Sequence, residues 1–219
     1  MSTDMHWGAR APISLEELAA ALAPFRVELS GEQLLAIQEY VSLLLQWNRS
    51  ISLTAIDDPI EIVNRHFGES FFGASMLKIG KSRLADVGSG AGFPGLVMKI
   101  ADREMNLTLF ESNSKKCAFL TEISQRLGFS GVSIVRGRYE EYRVDGARFD
   151  FVCSRALGNY RELLPWARSV LKRDGRLALW VGTDESIRLE RRPDFEWDAP
   201  IPIPESRRRV ILVGRPSGL

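Results

Sequence analysis

The chain has 219 residues, of which 45% are hydrophobic and 26% charged, with a formal net charge of +1. That length suits one domain with an appendage, and that balance is ordinary for a globular protein. No apolar run approaches the roughly 20 residues that span a membrane, and Met1-Ser-Thr-Asp-Met-His6 lacks the basic and apolar regions of a signal peptide. Two cysteines (Cys117, Cys153) and two histidines (His6, His66) exclude a disulfide framework and a Cys/His metal cluster. The expectation is a reduced, cytoplasmic protein with no metal and no membrane contact. The first 83 residues are net acidic and the remainder net basic, the cations being mostly arginine. Arginine suits bidentate phosphate contacts, but a GC-rich genome gives the same bias and is the simpler explanation.

The first third reads as helical. Ser14-Leu-Glu-Glu17 is a capping box ahead of Leu18 and Leu22. Ser30 caps a second helix with an apolar stripe of Leu34, Leu35, Ile37, Tyr40, Val41, Leu44, Leu45 and Trp47. After a loop at 48–55, Asp57 or Asp58 with Pro59 in the first turn opens a third helix through Ile62, Val63, His66, Phe67 and Phe71. On such an apolar face His66 reads first as a hydrogen-bonded packing residue.

From Leu84 the period changes. The pattern predicts strand 84–88, helix 94–101, strand 106–111, helix 113–127, strands 132–135 and 149–153, helix 159–170 and strand 175–181. A charged stretch from Asp184 to Arg192 follows, then an antiparallel pair over Trp197–Pro204 and Arg207–Val213. The alternation predicts an α/β fold with a parallel sheet and right-handed crossovers, divided into a helical extension (1–80) and a cofactor domain (81–219).

The most informative segment is Leu84 to Leu96. A strand carrying Asp86 breaks into Gly88, Gly90 and Gly92, and Pro94 opens a helix. Glycines admit backbone close to a ligand, and the helix N-terminus behind them presents free N–H groups. Dinucleotide enzymes carry G-x-G-x-x-G; counted from Gly88 and Gly90, the third slot holds Phe93. The acid-x-G-x-G-x-G pattern instead resembles motif I of class I methyltransferases, which bind S-adenosylmethionine (SAM). No Gly-Lys-Ser/Thr follows, so a P-loop is excluded.

In such sheets the ligand lies beyond the C-terminal strand ends. Glu111 ends the second strand, 21 residues after Gly90, where a carboxylate accepts both ribose hydroxyls. Tyr139-Glu140 follows the third strand and would border the adenine. Arg155 ends the fourth, where a catalytic or substrate-gripping group or a simple ion pair would sit. Cys153 lies inside the strand pattern and reads as a buried thiol, and Cys117 as structural. No Asn/Asp-Pro-Pro-aromatic motif and no Pro-Cys or Thr-Cys nucleophile is present. Guanine N7 already carries a lone pair, so its methylation needs orientation and no base, which fits a site with neither base nor nucleophile; O-methylation stays open.

These residues together resemble the bacterial small-subunit ribosomal RNA guanine-N7 methyltransferases, the RsmG or GidB family, from about Ile37 to Gly182. Trp47-Asn48, Leu53-Thr54 and Arg65-His66 are similar to its N-terminal signature. Asp86 to Leu96 is similar to its glycine loop with the unusual Phe-Pro-Gly, Ser112 to Phe119 to its next helix, and Phe149-Asp150 through Ser154-Arg155-Ala156 to its fourth-strand segment. The resemblance implies a Rossmann-like mixed seven-stranded sheet with flanking helices and a terminal hairpin. It implies SAM contacts at Gly88, Phe93, Tyr139, Glu140 and Arg155, with Glu111 near the ribose, and methylation of a guanine N7 in 16S rRNA, yielding S-adenosylhomocysteine. The candidate cofactor set is therefore Asp86, Gly88, Ser89, Gly90, Gly92, Phe93, Glu111, Ser112, Tyr139, Glu140 and Arg155, with Arg155 also the catalytic candidate. Arg65, His66, Arg207 and Arg208 are the substrate-side candidates. The expected partner is 16S rRNA or the 30S particle, met by a monomer. Three positions depart from the family pattern: Ser52 for Asn, Glu69 for Asp, and Val181 for a Lys before Gly. They keep two alternatives open: a SAM-fold RNA- or ribosome-binding protein, and a methyltransferase of another RNA or small substrate. An NAD-type oxidoreductase is the rival disfavoured by the third-glycine slot.

Overall fold

The computed structural model describes residues 13–143, 148–155 and 157–218. The Met1–His6 leader reading, His6 and Ala156 lie outside them. In chain order the elements are α1 (Leu15–Leu22), α2 (Gly31–Asn48), α3 (Pro59–Ile62), a π-helical turn (Val63–Gly68), α4 (Glu69–Leu77), β1 (Arg83–Val87), α5 (Gly95–Ala101), β2 (Asn106–Glu111), α6 (Ser114–Arg126), β3 (Val132–Arg136), β4 (Phe149–Arg155), α7 (Tyr160–Val170), β5 (Leu171–Gly182), α8 (Thr183–Leu189), β6 (Phe195–Trp197), β7 (Ile201–Pro202) and β8 (Arg209–Pro216).

The helix starts are local chemistry. Ser14 and Ser30 each accept from the backbone N–H three residues on, and Glu17 and Gln33 reach back to the cap N–H, so both capping boxes form. Asp58 caps α3 by accepting from Glu61 N, with Pro59 in the first turn. On α2 the buried face is Ile37, Tyr40, Val41, Leu43 and Leu44; Leu35, expected in the stripe, is 54% exposed. Leu43 takes an inward place the periodicity did not assign it.

Among the described residues one mixed sheet of eight strands forms, in the order β3-β2-β1-β4-β5-β8-β6, with β7 also on β8. β1 to β5 pair in parallel, and β8 runs antiparallel to β5, β6 and β7. The expected count of seven becomes eight because the strand predicted over 197–204 is split. Asp198 N still donates to the Val213 carbonyl at 2.8 Å, but the ladder breaks at Ala199-Pro200, and proline has no N–H to give.

Side chains alternate across the sheet. Leu107, Leu109, Cys153, Ala178 and Trp180 face one core with α5, α6 and the N-terminal helices; Ala85, Val87, Val152, Leu177 and Leu179 face a second with α7 and α8. Among the described residues the N-terminal helices have no separate core: Leu18, Ile37, Tyr40 and Phe67 share theirs with Leu96, Phe119 and Trp180. The Trp180 indole lies against α4 where Gly73 leaves room and donates to the Glu69 carbonyl at 3.1 Å. Among the described residues no helix is long and apolar enough to cross a membrane.

Candidate active site

The glycine loop leaves β1 and is fastened on both sides. Gly88 N and Ser89 N donate to the Phe110 carbonyl at the end of β2, at 2.9 and 3.1 Å, and the Ser89 hydroxyl donates to the Asp86 carbonyl. Gly88, Gly90 and Gly92 have φ of +71°, +57° and +87°, a region side chains rarely adopt. A Cβ on Gly92 would meet the Tyr40 hydroxyl and Leu96, whereas one on Gly90 would find only the Gly88 carbonyl oxygen, at 3.8 Å. Gly92 is thus small for packing reasons, and Gly90 for the open space beside it. The Phe93–Pro94 peptide is cis.

Asp86 is fully buried behind the loop. Its Oδ2 accepts from Gly95 N at 3.0 Å, tying the start of α5 to β1. Its Oδ1 has no hydrogen bond of sound geometry, with the Cys153 thiol on the register partner beside it. Burial raises the carboxyl to about 7, the Gly95 N–H opposing.

Glu111, at the end of β2, faces the loop. One carboxylate oxygen accepts from Gly90 N at 3.0 Å and the other from Asn113 N at 2.7 Å. Each keeps a second lone pair, so a vicinal diol can still be bound. Beside it opens a crevice of about 400 Å³, lined by Gly88, Glu111, Ser112, Tyr139, Glu140 and Leu157 among others. The space, the acceptor pair and Gly88 in the wall fit an adenosine-bearing cofactor, and nothing in the lining offers the cations a pyrophosphate needs beyond Arg138. The Tyr139 ring packs edge-on to Trp166, and burial, then Glu140, raises its hydroxyl pKa.

Phe93 and Arg155 lie elsewhere. Neither lines this crevice. The Phe93 ring stacks on Tyr40 (5.6 Å, 12°) and on His66 (4.7 Å, 26°), with Phe67 edge-on. Arg155 leaves the end of β4 and lies over the same ring, 5.3 Å from its centre. It donates to the Arg65 carbonyl at 3.0 Å and to His66 Nδ1 at 2.5 Å. Because a guanidinium only donates, Nδ1 must accept, so the proton sits on Nε2 and is donated to Thr54 Oγ1 at 2.9 Å. Asn48 holds Thr54 there: its Oδ1 accepts from Leu53 N and Thr54 N, and its amide donates to the Thr54 carbonyl. Burial, then Arg155, Arg209 and Arg65, lowers His66 to about 3, so the ring is neutral and both nitrogens are engaged.

The cluster closes on Glu69, a residue read from sequence only as a departure. Its carboxylate is buried, with Arg209 Nη1 at 3.0 Å and Arg155 Nη1 at 3.8 Å from Oε2, and Arg65 Nε at 3.7 Å from Oε1. The Oε2 contacts are ionic and lack in-line hydrogen-bond geometry. Burial raises the Glu69 pKa against the pull of the arginines, and burial lowers Arg155 to about 10, leaving it charged at neutral pH. The run Arg207-Arg208-Arg209 suggests a hairpin tip or a solvated turn; Arg207 and Arg208 are exposed, whereas Arg209 turns inward to Glu69. Of the three departures, Ser52 is exposed and Val181 is buried on the α7/α8 face. Among the described residues no group of three or more His, Cys, Asp or Glu could hold a metal ion.

Comparison with known proteins agrees with this geometry. The family model for rRNA small subunit methyltransferase G (GidB) matches residues 33–196. Curated relatives named ribosomal RNA small subunit methyltransferase G include one from Stutzerimonas stutzeri, 31% identical over 92% of this chain and 96% of its own length. Another, from Halorhodospira halophila, is 35% identical over 81% and 83%. Solved structures with the same fold include a SAM-dependent methyltransferase from Aquifex aeolicus (TM-score 0.59, 15% identity, 74% of this chain and 95% of that one). The glycopeptide N-methyltransferase MtfA complexed with SAM also shares it (TM-score 0.57, 12% identity, 70% and 88%). With a class I methyltransferase sheet and a match across most of its length, this chain belongs to the rRNA small subunit methyltransferase G family.

Proposed function

We propose that this chain transfers the methyl group of SAM to N7 of a guanine in 16S rRNA, in the cytoplasm. The observation that carries the reading is the two-sided loop. One side opens on the Glu111 crevice, and the other packs through Phe93 on a cationic cluster that contains no free base. Bound in the crevice, SAM supplies an electrophilic sulfonium methyl. Glu111 would hold the ribose hydroxyls, Gly88, Ser89, Gly90, Gly92 and Ser112 would border the rest of the ligand, and Tyr139 and Glu140 would flank the adenine. Asp86 supports the loop from behind.

The residues near Phe93 do no proton chemistry. His66 has both nitrogens engaged, and the Cys153 thiol is fully buried, with burial raising its pKa well above the usual value. Guanine N7 attacks with its own lone pair, so the chain has only to hold it in line. Such orientation supplies about 7–11 kcal/mol. Arg155 would grip the guanosine, and exposed Arg65, Arg207 and Arg208 would meet phosphates. The N-terminal helices, residues 1–80, would cover the site and share the RNA contact.

The test is incubation with methyl-labelled SAM and either 30S subunits or protein-free 16S rRNA, then digestion to nucleosides. Label in 7-methylguanosine is expected, and the more active arm identifies the form of the substrate. Label in another nucleoside overturns the reading. SAM binding without any label supports a non-catalytic SAM-fold protein.

A further inference from the structure

We infer that Glu69 is a positioning residue for the transfer: from the N-terminal helices it fixes the guanidinium of Arg155 across Phe93, and so sets where the guanine is held. The inference rests on the proposed methyl transfer. Its basis is a contact set that no single element could provide. Arg155 comes from β4, Arg209 from β8, and Arg65 and Glu69 from the π turn and α4. All three arginines lie within 4 Å of one buried carboxylate. Three guanidiniums this close repel; Asp86, buried behind the glycine loop, also acts on Arg155, but among the described residues the ion pairs of all three arginines run to Glu69. A carboxylate at 69 is what lets Arg155 lie over Phe93 and reach His66 Nδ1, with Arg209 joining it from the β8 ladder opposite Gly182. Glu69 is itself held at the backbone, where the Trp180 indole takes its carbonyl. Its effect on the reaction therefore runs through Arg155, not through contact with the cofactor crevice, whose lining does not include it.

Glu69→Gln removes the charge and keeps the shape. The expected result is kcat on 30S subunits or 16S rRNA lowered by about 100-fold, the scale of a small misplacement of a reacting group, with SAM affinity by calorimetry within about twofold of wild type. Glu69→Asp, the residue of the family pattern, should restore most of kcat. His66 gives a second readout that does not depend on activity. The chain has two histidines, so ¹⁵N-histidine spectra with His6→Asn as the assignment control isolate the His66 ring. In the wild type it should show a fixed Nε2–H tautomer, and in Glu69→Gln an averaged one as Arg155 leaves. Unchanged kcat in Glu69→Gln, or an unchanged His66 spectrum, overturns the inference. So does a Glu69→Asp variant as slow as Glu69→Gln. If the wild type labels no 7-methylguanosine while the His66 spectrum changes as expected, the methyl-transfer reading fails and the placement of Arg155 by Glu69 stands.

Discussion

The Tyr40 hydroxyl, carried on α2, donates to the carbonyl oxygen of Ala91 in the glycine loop at 2.5 Å, and the Tyr40 ring stacks on Phe93. A helix from the N-terminal third thus sets the conformation of the cofactor loop. Tyr40→Phe keeps the stack but strands a buried acceptor, a cost of about 1–3 kcal/mol. Thermal unfolding should show a melting point several degrees lower, at about 2–4 °C per kcal/mol for a chain of this size. SAM affinity should fall with it.

Gly90→Val tests the crevice. The added Cβ meets nothing close in the protein itself, but the φ of +57° strains any side chain, a β-branched one most, so the loop should be strained even though the core is untouched. Gly90 N holds the Glu111 carboxylate that lines the crevice, so a distorted loop disturbs that acceptor and SAM affinity should drop at least about tenfold, or 1.4 kcal/mol, in a calorimetric titration.

Arg155→Ala separates the two sides of the loop. Because Arg155 engages His66, Arg65 and Glu69 and does not line the crevice, SAM binding should persist while methyl transfer falls by about 100-fold. Single-turnover assays with pre-bound SAM measure this directly. Equal loss of SAM affinity would place Arg155 in the cofactor site instead.

Arg207 and Arg208 lie exposed next to β8. If they meet phosphates, each change to Ser should weaken RNA binding across sequences and reduce the salt slope of log K by about 1. Filter binding at several salt concentrations gives that slope.

His66 carries a pH signature. Its folded value of about 3 lies below the ordinary 6.5, so the unfolded chain takes up a proton first and His66 withdraws stability as pH falls below about 6.5. Asp86 acts in the opposite sense, because its folded value of about 7 lies above the ordinary 3.8. The difference between wild type and His66→Gln isolates the histidine. The wild-type advantage in urea unfolding should shrink by about 2 kcal/mol between pH 7 and pH 5.

What could be read in advance was what short-range chemistry decides. Ser14 with Glu17 and Ser30 with Gln33 mark their helix starts within four residues, and the alternation around Leu107 and Leu109 marks β2 and so places Glu111 at a strand end. The spacing of Gly88, Gly90 and Gly92 announces the loop. What escaped depends on partners far along the chain. The π turn at Val63–Gly68 has no local signature; Gly68 there leaves room for the Phe25 ring. Pro200 marks the break between β6 and β7, a signal that outweighs the apolar pattern on either side of it. Arg209 differs from Arg207 and Arg208 by standing in the β8 ladder, opposite Gly182, and the convergence of Arg155, His66 and Glu69 spans about ninety residues.

The N-terminal helices and the sheet bury their apolar faces against each other, with Phe67 and Trp180 in the same packed interior. A change of volume on one side of that interior is felt on the other, so the helices cannot be cut away or repacked while the sheet is left as it stands.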